Sequence, residues 1–187
     1  ILPYSFGGHR GYSFSRLISY LVGMDAMLST PLATAASFVF LFFLFSSFLA
    51  STGAGQFFID LALGLAGGTR GGPAKVAGIG SALFGMISGS SSANVVASGT
   101  FTIPMMIKTG YSPRFSAAVE SVASTGGQMT PPILGAAAFI IAELTGTPYL
   151  DIALATVIPA LLYFTSIYYM IDLEALKLSL MGHKAED

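Results

Sequence analysis

Long apolar stretches, separated by short polar or glycine-rich interruptions, make up most of the chain. The clearest apolar stretch is 33–50 ("ATAASFVFLFFLFSSFLA"). As a helix it would be about 27 Å long, and it is predicted to cross a membrane as a scaffold helix. Residues 1–32 mix polar and apolar positions and predict a loop with a short amphipathic helix. Residues 51–69 are glycine-flanked and too short to span comfortably, which favours an interfacial helix.

A long stretch without a charge, 76–107, is interrupted at its centre by small polar residues. Arg70 and Lys75 precede it, and Lys108 follows it. Lysine and arginine concentrate in cytoplasmic loops, so this stretch is expected to enter and leave on the same face. Each arm, at about 15 residues, would be shorter than the ~30 Å hydrocarbon core. We therefore predict a re-entrant helical hairpin over 73–108, with its polar tip near the middle of the membrane.

A second interruption divides the stretch 113–145. Pro113 suits the first turn of a helix, which then breaks at "TGGQMTPP". A new helical half is predicted from there, with Thr130 as its N-cap and Pro131 at its first helical position. Together the two halves predict a discontinuous transmembrane helix.

The last part of the chain predicts one more crossing. Residues 148–173 are apolar and long enough to span, with a bend expected at Pro159. Residues 174–187 are polar and predict a cytoplasmic tail or linker. The pattern as a whole predicts an all-α, multi-pass integral membrane protein.

Composition supports the membrane class. Hydrophobic residues make up 53% of the chain and charged residues 9%, whereas soluble domains carry about 25% charged residues. The net charge of −1 gives no electrostatic basis for binding nucleic acid. The absence of cysteine excludes disulfides and thiol catalysis. Because the chain opens on Ile1, we expect it to be an internal piece of a longer polypeptide.

Helix ends inside a membrane expose backbone groups that can bind ions. Carbonyl groups at a C-terminus suit a small cation, and N–H groups at an N-terminus suit an anion. Gly89 is suited to end the first hairpin arm, and Ser91 or Ser92 to cap the second. Paired breaks in short helices indicate the midplane site of a transporter. The candidate sodium- and substrate-binding residues are those at the tip and at the break: Ser88, Gly89, Ser90, Ser91, Ser92, Asn94, Thr125, Gly126, Gly127, Gln128, Thr130 and Pro131.

Each of these features also has a structural explanation. Small residues such as Gly85 and Gly89 permit close helix packing, and the break at 125–132 resembles a proline kink. Glu120 is a functional candidate as an intramembrane acid, but contact with water or Arg114 favours a structural role. An intramembrane serine hydrolase would need a base near its serine, and Glu120 is the only one nearby. A purely structural subunit would tolerate substitutions at the tip.

Two stretches carry a family resemblance: "RGGPAKVAGIGSALFGMISGSSSANVVASGTFTIPMMIKTGY" and "VESVASTGGQMTPPILGAAAFIIAE". They resemble the large membrane subunit, DctM-like, of tripartite ATP-independent periplasmic (TRAP) transporters, over about residues 30 to 180. "STGGQMTPP" and "GAAAFIIAE" look most like the branch in which the small and large membrane subunits are fused. The resemblance implies a sodium-coupled secondary transporter, not an enzyme, in a prokaryotic inner membrane. It implies an elevator mechanism and two inverted repeats, of which this chain holds about one.

The resemblance also implies partners and an ion site. A periplasmic or extracellular binding protein would deliver a small organic anion such as a carboxylate. A small membrane subunit (fused or separate), the remaining half of the permease and membrane lipid would complete the assembly. Helix 54–66 would join the static scaffold to the moving domain. No organic cofactor is implied; Na⁺ as coupling ion would lie near Ser88, Gly89, Ser90, Thr125 and Gly126. The alternative is an ion-coupled dicarboxylate-type symporter that works without a binding protein.

Overall fold

A computed structural model of the chain describes residues 12–23 and 29–180. All regular secondary structure in those two ranges is helical, which confirms the predicted all-α class. Parts of the predicted loop and tail, at 1–11, 24–28 and 181–187, lie outside the described residues.

The N-terminal part contains a short helix followed by a longer helical run. Helix α1 (Phe14–Val22) is exposed along its length and capped by Ser13, whose hydroxyl accepts a hydrogen bond from the Arg16 N–H. The run that covers the predicted scaffold stretch consists of α2 (Thr30–Thr34), a π-helical turn (Ala35–Val39) and α3 (Phe40–Ser51). A π-helical turn therefore interrupts the α-helix that the sequence predicts at 33–50.

Helix α4 (Ala54–Ala66) follows α3 after a glycine turn. Gly53 has a φ of 88°, in the left-handed region that glycine adopts without steric cost. One face of α4 is buried, through Ile59, Ala62 and Ala66. The helix thus packs along the rest of the molecule on one side, and its other side is exposed.

Helices α5 (Gly72–Ser88) and α6 (Ser91–Thr109) form an antiparallel hairpin. Gly89 ends α5 with a φ of 59°, as the sequence predicts. The ends remote from this turn lie side by side, because Gly72 and Lys108 line the same cavity. The chain therefore enters and leaves the hairpin at the same end of the molecule.

The predicted discontinuous helix has its break where expected but restarts later. Helix α7 (Pro113–Gly127) begins at the proline, and α8 (Ala136–Thr145) begins after Gly135. The prediction that Thr130 and Pro131 start the second half is wrong. A residue that precedes proline is disfavoured in the α region, so Pro131, followed by a second proline, does not open a helix.

The C-terminal part forms one long apolar element. Helices α9 (Tyr149–Ala155) and α10 (Val157–Lys177) are separated only by Thr156. The interruption lies three residues before the predicted bend, because the ring of Pro159 clashes with the carbonyl four residues earlier, that of Ala155. Among the described residues, Tyr149–Lys177 is the one helical element long and apolar enough to cross a membrane by length and composition.

Helices α5, α6, α7 and α10 enclose the main hydrophobic core. Ala77, Met106, Val119 and Ile171 each contribute a fully buried side chain to it. Tyr111, in the loop between α6 and α7, is also buried there, and burial raises its pKa to about 12. The four helices therefore form the packed unit that positions the residues described next.

Candidate functional site

The hairpin tip is a two-residue turn with one serine as a helix cap. Ser90 lies in extended backbone before α6, and its hydroxyl accepts a hydrogen bond from the Ala93 N–H at 3.4 Å. The predicted caps, Ser91 and Ser92, are instead the first two residues of the helix, because Gly89 completes the turn and leaves Ser90 in the capping position. The tip thus presents the C-terminal end of α5 and the N-terminal end of α6 within two residues.

The predicted tip residues differ in their exposure. Ser88 and Asn94 are buried, whereas Gly89, Ser90 and Ser91 are half-buried. Ser92 is exposed. The tip is therefore partly accessible to solvent between the buried residues Ser88 and Asn94.

The tip lies against the break between α7 and α8. A Cβ placed on Gly127 would stand 2.8 Å from the Gly85 α-carbon, and one on Gly89 would stand 2.8 Å from the Leu134 carbonyl oxygen. The Ile133 N–H donates a hydrogen bond to the Met86 carbonyl at 3.2 Å. The structure therefore brings the two interrupted elements together, mainly through backbone.

Within the break, the last carbonyl groups of α7 are capped by the turn that follows. The N–H groups of Met129 and Thr130 donate to the carbonyls of Gly126 and Gly127 at 3.1 and 3.2 Å. The Thr130 hydroxyl donates to the same Gly126 carbonyl at 3.0 Å, so Thr130 caps the end of α7 and not the start of α8. A carbonyl oxygen has two lone pairs, so the Gly127 carbonyl, which accepts one of these hydrogen bonds, keeps one for a cation, whereas the Gly126 carbonyl accepts two.

The five residues predicted to lie near Na⁺ do not all face one another. They are Ser88, Gly89, Ser90, Thr125 and Gly126. Gly126 packs against the rings of Tyr163 and Phe164 on α10. The Thr125 hydroxyl is bonded to the Ser121 carbonyl at 2.8 Å, and that side chain is exposed.

The neighbours of the tip are instead Gly127 and the segment 133–135, and sequence reasoning passed over that segment. Two carbonyl oxygens face each other across this contact: that of Leu134 lies against Gly89, and that of Gly89 lies against Gly135. Oxygen donors of this kind are the ligands that a hard cation prefers, so the residues present fit Na⁺.

Tyr149 on α9 holds the break in shape. Its phenol accepts a hydrogen bond from the Leu134 N–H at 2.9 Å and donates one to the Pro132 carbonyl at 3.0 Å. Its ring stacks on Phe139, with centroids 4.5 Å apart. The sequence contains one signal for this role, since a tyrosine in an apolar segment needs a partner for its hydroxyl.

Asn94 joins the two arms of the hairpin. Its amide Nδ2 donates to the Ser81 carbonyl at 2.7 Å, and its Oδ1 accepts a hydrogen bond from Ser98 at 3.2 Å. Asn94 is fully buried. In this structure it therefore acts below the tip, as a link between α5 and α6.

Glu120 lies at the centre of α5, α6 and α7 and is fully buried. Its Oε1 contacts the hydroxyls of Ser98 and Ser124 at 2.5 and 3.2 Å, and its Oε2 contacts that of Thr102 at 2.5 Å. The expectation that it reaches water or Arg114 is wrong, because the side chain points between the helices into this group of hydroxyls.

A family model for the tripartite ATP-independent periplasmic transporter, DctM component, matches residues 13–187. Curated relatives agree with it. The C4-dicarboxylate TRAP transporter large permease protein DctM of Pseudomonas aeruginosa is 36% identical over 122 residues, which cover 65% of this chain and 28% of that protein. The protein of the same name from Vibrio cholerae is 40% identical over 91 residues, covering 49% of this chain and 20% of that protein.

A third relative bears a different name. The isethionate TRAP transporter permease protein DctMQ of Oleidesulfovibrio alaskensis is 41% identical over 86 residues, which cover 46% of this chain and 13% of that protein. The alignments thus span 28% or less of the length of each of these three relatives. No solved structure gives a significant match. Because the family model matches nearly the whole chain, this chain belongs to the family of the DctM component of tripartite ATP-independent periplasmic transporters.

Proposed function

We propose that this chain is part of the membrane permease of a sodium-coupled, binding-protein-dependent secondary transporter that imports a small organic anion such as a carboxylate. The observation that carries the proposal is the contact between the hairpin tip and the break. Each of these elements ends one helix and begins another. Helix C-termini present carbonyls to a cation, and helix N-termini present N–H groups to an anion.

In this proposal the hairpin of α5 and α6 is re-entrant, and its tip lies near the middle of the bilayer. Its two remote ends lie together near Arg70 and Lys108, which favours entry and exit at the cytoplasmic face. Non-helical backbone at membrane depth requires burial in protein or a cavity, and Leu134 and Gly135 in the break are indeed buried. The permease would work by an elevator mechanism, in which the hairpin and the discontinuous helix move together and α4 joins them to the scaffold at 33–50.

The substrate and partners are proposed from the family. Two relatives are named for C4-dicarboxylates and one for isethionate, all of which are small organic anions. The partners would be a periplasmic or extracellular binding protein, a small membrane subunit (separate or fused), the remaining half of the permease and membrane lipid. The assembly would lie in a prokaryotic inner membrane as a multi-pass protein.

Among the alternatives, a symporter without a binding protein would share the tip and the break. It is distinguished by uptake that needs no added binding protein. An intramembrane serine hydrolase is disfavoured, because the relatives are transporter permeases and the carboxylate of Glu120 is fully buried, away from any substrate.

The test replaces Ser90 by leucine together with Thr125 by valine in the whole permease, reconstituted in proteoliposomes with its binding protein. Sodium-driven uptake should be lost while membrane insertion is unchanged, because leucine at Ser90 removes the hydroxyl that caps α6 and places a bulky apolar side chain at the tip. Thr100→Val is the matched control, since Thr100 is an exposed residue of α6 whose hydroxyl contacts only its own helix. Normal sodium-dependent uptake by the double variant would rule out this site and favour a purely structural tip.

A further inference from the structure

A cavity opens at the end of the hairpin remote from the tip, where α4 ends, α5 begins and α6 ends. Its volume is about 730 Å³, within the range of about 300–1,000 Å³ that is usual for small-molecule sites. Gly67, Gly71 and Gly72 line it without side chains, and Ser179 and Leu180 form the side that follows α10. The cavity is therefore separate from the transport site proposed at the tip.

One face of α6 carries both the charge of this cavity and part of its apolar wall. Phe101, Pro104 and Lys108 are spaced three and four residues apart, so they lie on the same face of the helix. Lys108 is in the last turn of α6, and Phe101 lies about 10 Å closer to the hairpin tip, at a rise of 1.5 Å per residue. The wall thus changes along α6 from a cationic end to an apolar surface, and in the proposed topology that direction leads into the membrane.

The positive charge at this end exceeds the negative charge. Within 12–23 and 29–180, the ammonium group of Lys108 makes no ion pair or hydrogen bond, and the side chain is exposed. Arg70 and Lys75 share a single carboxylate, that of Asp172, so these three residues together keep one positive charge. The cavity therefore lies in a region that attracts an anion.

Few side-chain donors in the cavity are available to such an anion. The lining threonines already donate their hydroxyl protons to carbonyls three or four residues earlier, at 2.8–3.4 Å. Of the lining residues that the structure describes, Lys108 and Ser179 keep a side-chain donor for a ligand. They belong to different elements, the end of α6 and the segment after α10, so a bound anion would join the two.

We propose that this cavity binds the headgroup of an anionic phospholipid of the cytoplasmic leaflet, with the phosphate at Lys108 and Ser179 and the acyl chains along Phe101 and Pro104. Basic pockets between transmembrane helices on the cytoplasmic side bind anionic headgroups. The order along α6, first a cation and then an apolar surface, matches the order of phosphate and hydrocarbon in a phospholipid. A soluble anion would use the ammonium group but not the apolar wall. The assignment to the cytoplasmic leaflet rests on the membrane topology under the proposed function.

Native mass spectrometry of the whole permease in detergent, with added phosphatidylglycerol, measures this binding. The wild type should bind phosphatidylglycerol more tightly than phosphatidylcholine with the same acyl chains. Lys108→Gln should lower the affinity for phosphatidylglycerol about fivefold, the effect of one basic residue near an anionic lipid surface, and Lys108→Arg should keep it. Lys177→Gln is the matched control, because Lys177 is an exposed lysine at the same end, outside the cavity and paired with Glu174.

Two further measurements identify the occupant. Phe101→Ser should weaken the binding of phosphatidylglycerol, because the acyl chains lose part of their wall. Glycerol phosphate, which has the phosphate but no acyl chain, should not displace the lipid at equal concentration. A photoreactive residue in place of Ser179 should form cross-links to lipid when the permease is irradiated in its native membrane.

Four results would overturn the proposal. An affinity for phosphatidylglycerol that is unchanged in Lys108→Gln, or lowered equally in Lys177→Gln, would remove the role of Lys108. Displacement by glycerol phosphate would assign the cavity to a soluble anion. Cross-links from position 179 to a polypeptide instead of lipid would assign it to a protein subunit. These measurements need no sodium, transported substrate or uptake, so their failure is separable from that of the sodium site at the tip.

Discussion

Gly127 on α7 lies against Gly85 on α5 with no room for a side chain between the two backbones. A Cβ on Gly127 would stand 2.8 Å from the Gly85 α-carbon and 2.9 Å from Asn94 Nδ2. Real carbon atoms do not approach so closely, so this contact between the hairpin and the discontinuous helix exists only because both residues are glycine.

Gly127→Ala should therefore push the hairpin away from the break. Inserting a methyl group into a packed core costs about 1–3 kcal/mol, and most atoms near this methyl belong to backbone or to the buried amide of Asn94. We expect a lower melting temperature and a loss of uptake in the whole permease. Gly78→Ala is the matched control, because a Cβ on Gly78 of α5 meets nothing within 4 Å. Equal behaviour of the two variants would show that the close approach is not needed.

Tyr149→Phe should loosen the break while it keeps the ring stacked on Phe139. The substitution leaves the Leu134 N–H and the Pro132 carbonyl without their shared partner. An unsatisfied buried polar group costs about 1–3 kcal/mol. Thermal unfolding of the whole permease should show this loss, and Tyr169→Phe, on the exposed face of α10, should not. An unchanged melting temperature in Tyr149→Phe would mean that other groups or water replace the phenol.

Asp172→Asn should destabilise the end of the molecule where α5 and α10 meet. Asp172 pairs with Lys75, whose side chain is only 4% exposed, and with Arg70. Removal of the carboxylate leaves a buried ammonium group without a counter-charge, which lowers stability strongly. The melting temperature should fall by several degrees, and replacing Lys75 by methionine in the same variant should restore part of it. Glu174→Gln serves as the control, because its partner Lys177 is 72% exposed and such surface pairs contribute little.

Labelling of single cysteines tests the re-entrant hairpin. Thr69 and Lys108 lie at the two remote ends of the hairpin, and both are exposed, as is Glu143 near the end of α8. Cysteines at Thr69 and Lys108 should react with an impermeant reagent from the same face of the membrane, and a cysteine at Glu143 from the opposite face. The other cysteines of the permease are removed for this experiment. Reaction of Thr69→Cys and Lys108→Cys from opposite faces would mean that 73–108 crosses the membrane.

Helix boundaries are predictable here where a single residue decides them. Gly89 ends α5 in the left-handed conformation, Pro113 opens α7, and Gly127 ends α7. The start of α8 at Ala136 is not predicted correctly. Two prolines in succession postpone the helix, and the sequence rules treat each proline separately. Contacts between elements are harder to predict. The partners of Glu120 come from three helices and depend on how each is rotated about its axis.

The hydrogen bond from the Ile133 N–H to the Met86 carbonyl has a consequence for how any ion would reach this place. It ties a loop of one element to the last turn of another, and the neighbouring glycines leave no slack between them. A hinge motion between the hairpin and the discontinuous helix would have to break that hydrogen bond and separate two backbones in direct contact. Separating the hairpin tip from the break between α7 and α8 would therefore cost free energy. Ions and substrate would gain access more readily if the tip and the break stayed in contact and moved together relative to the protein around them.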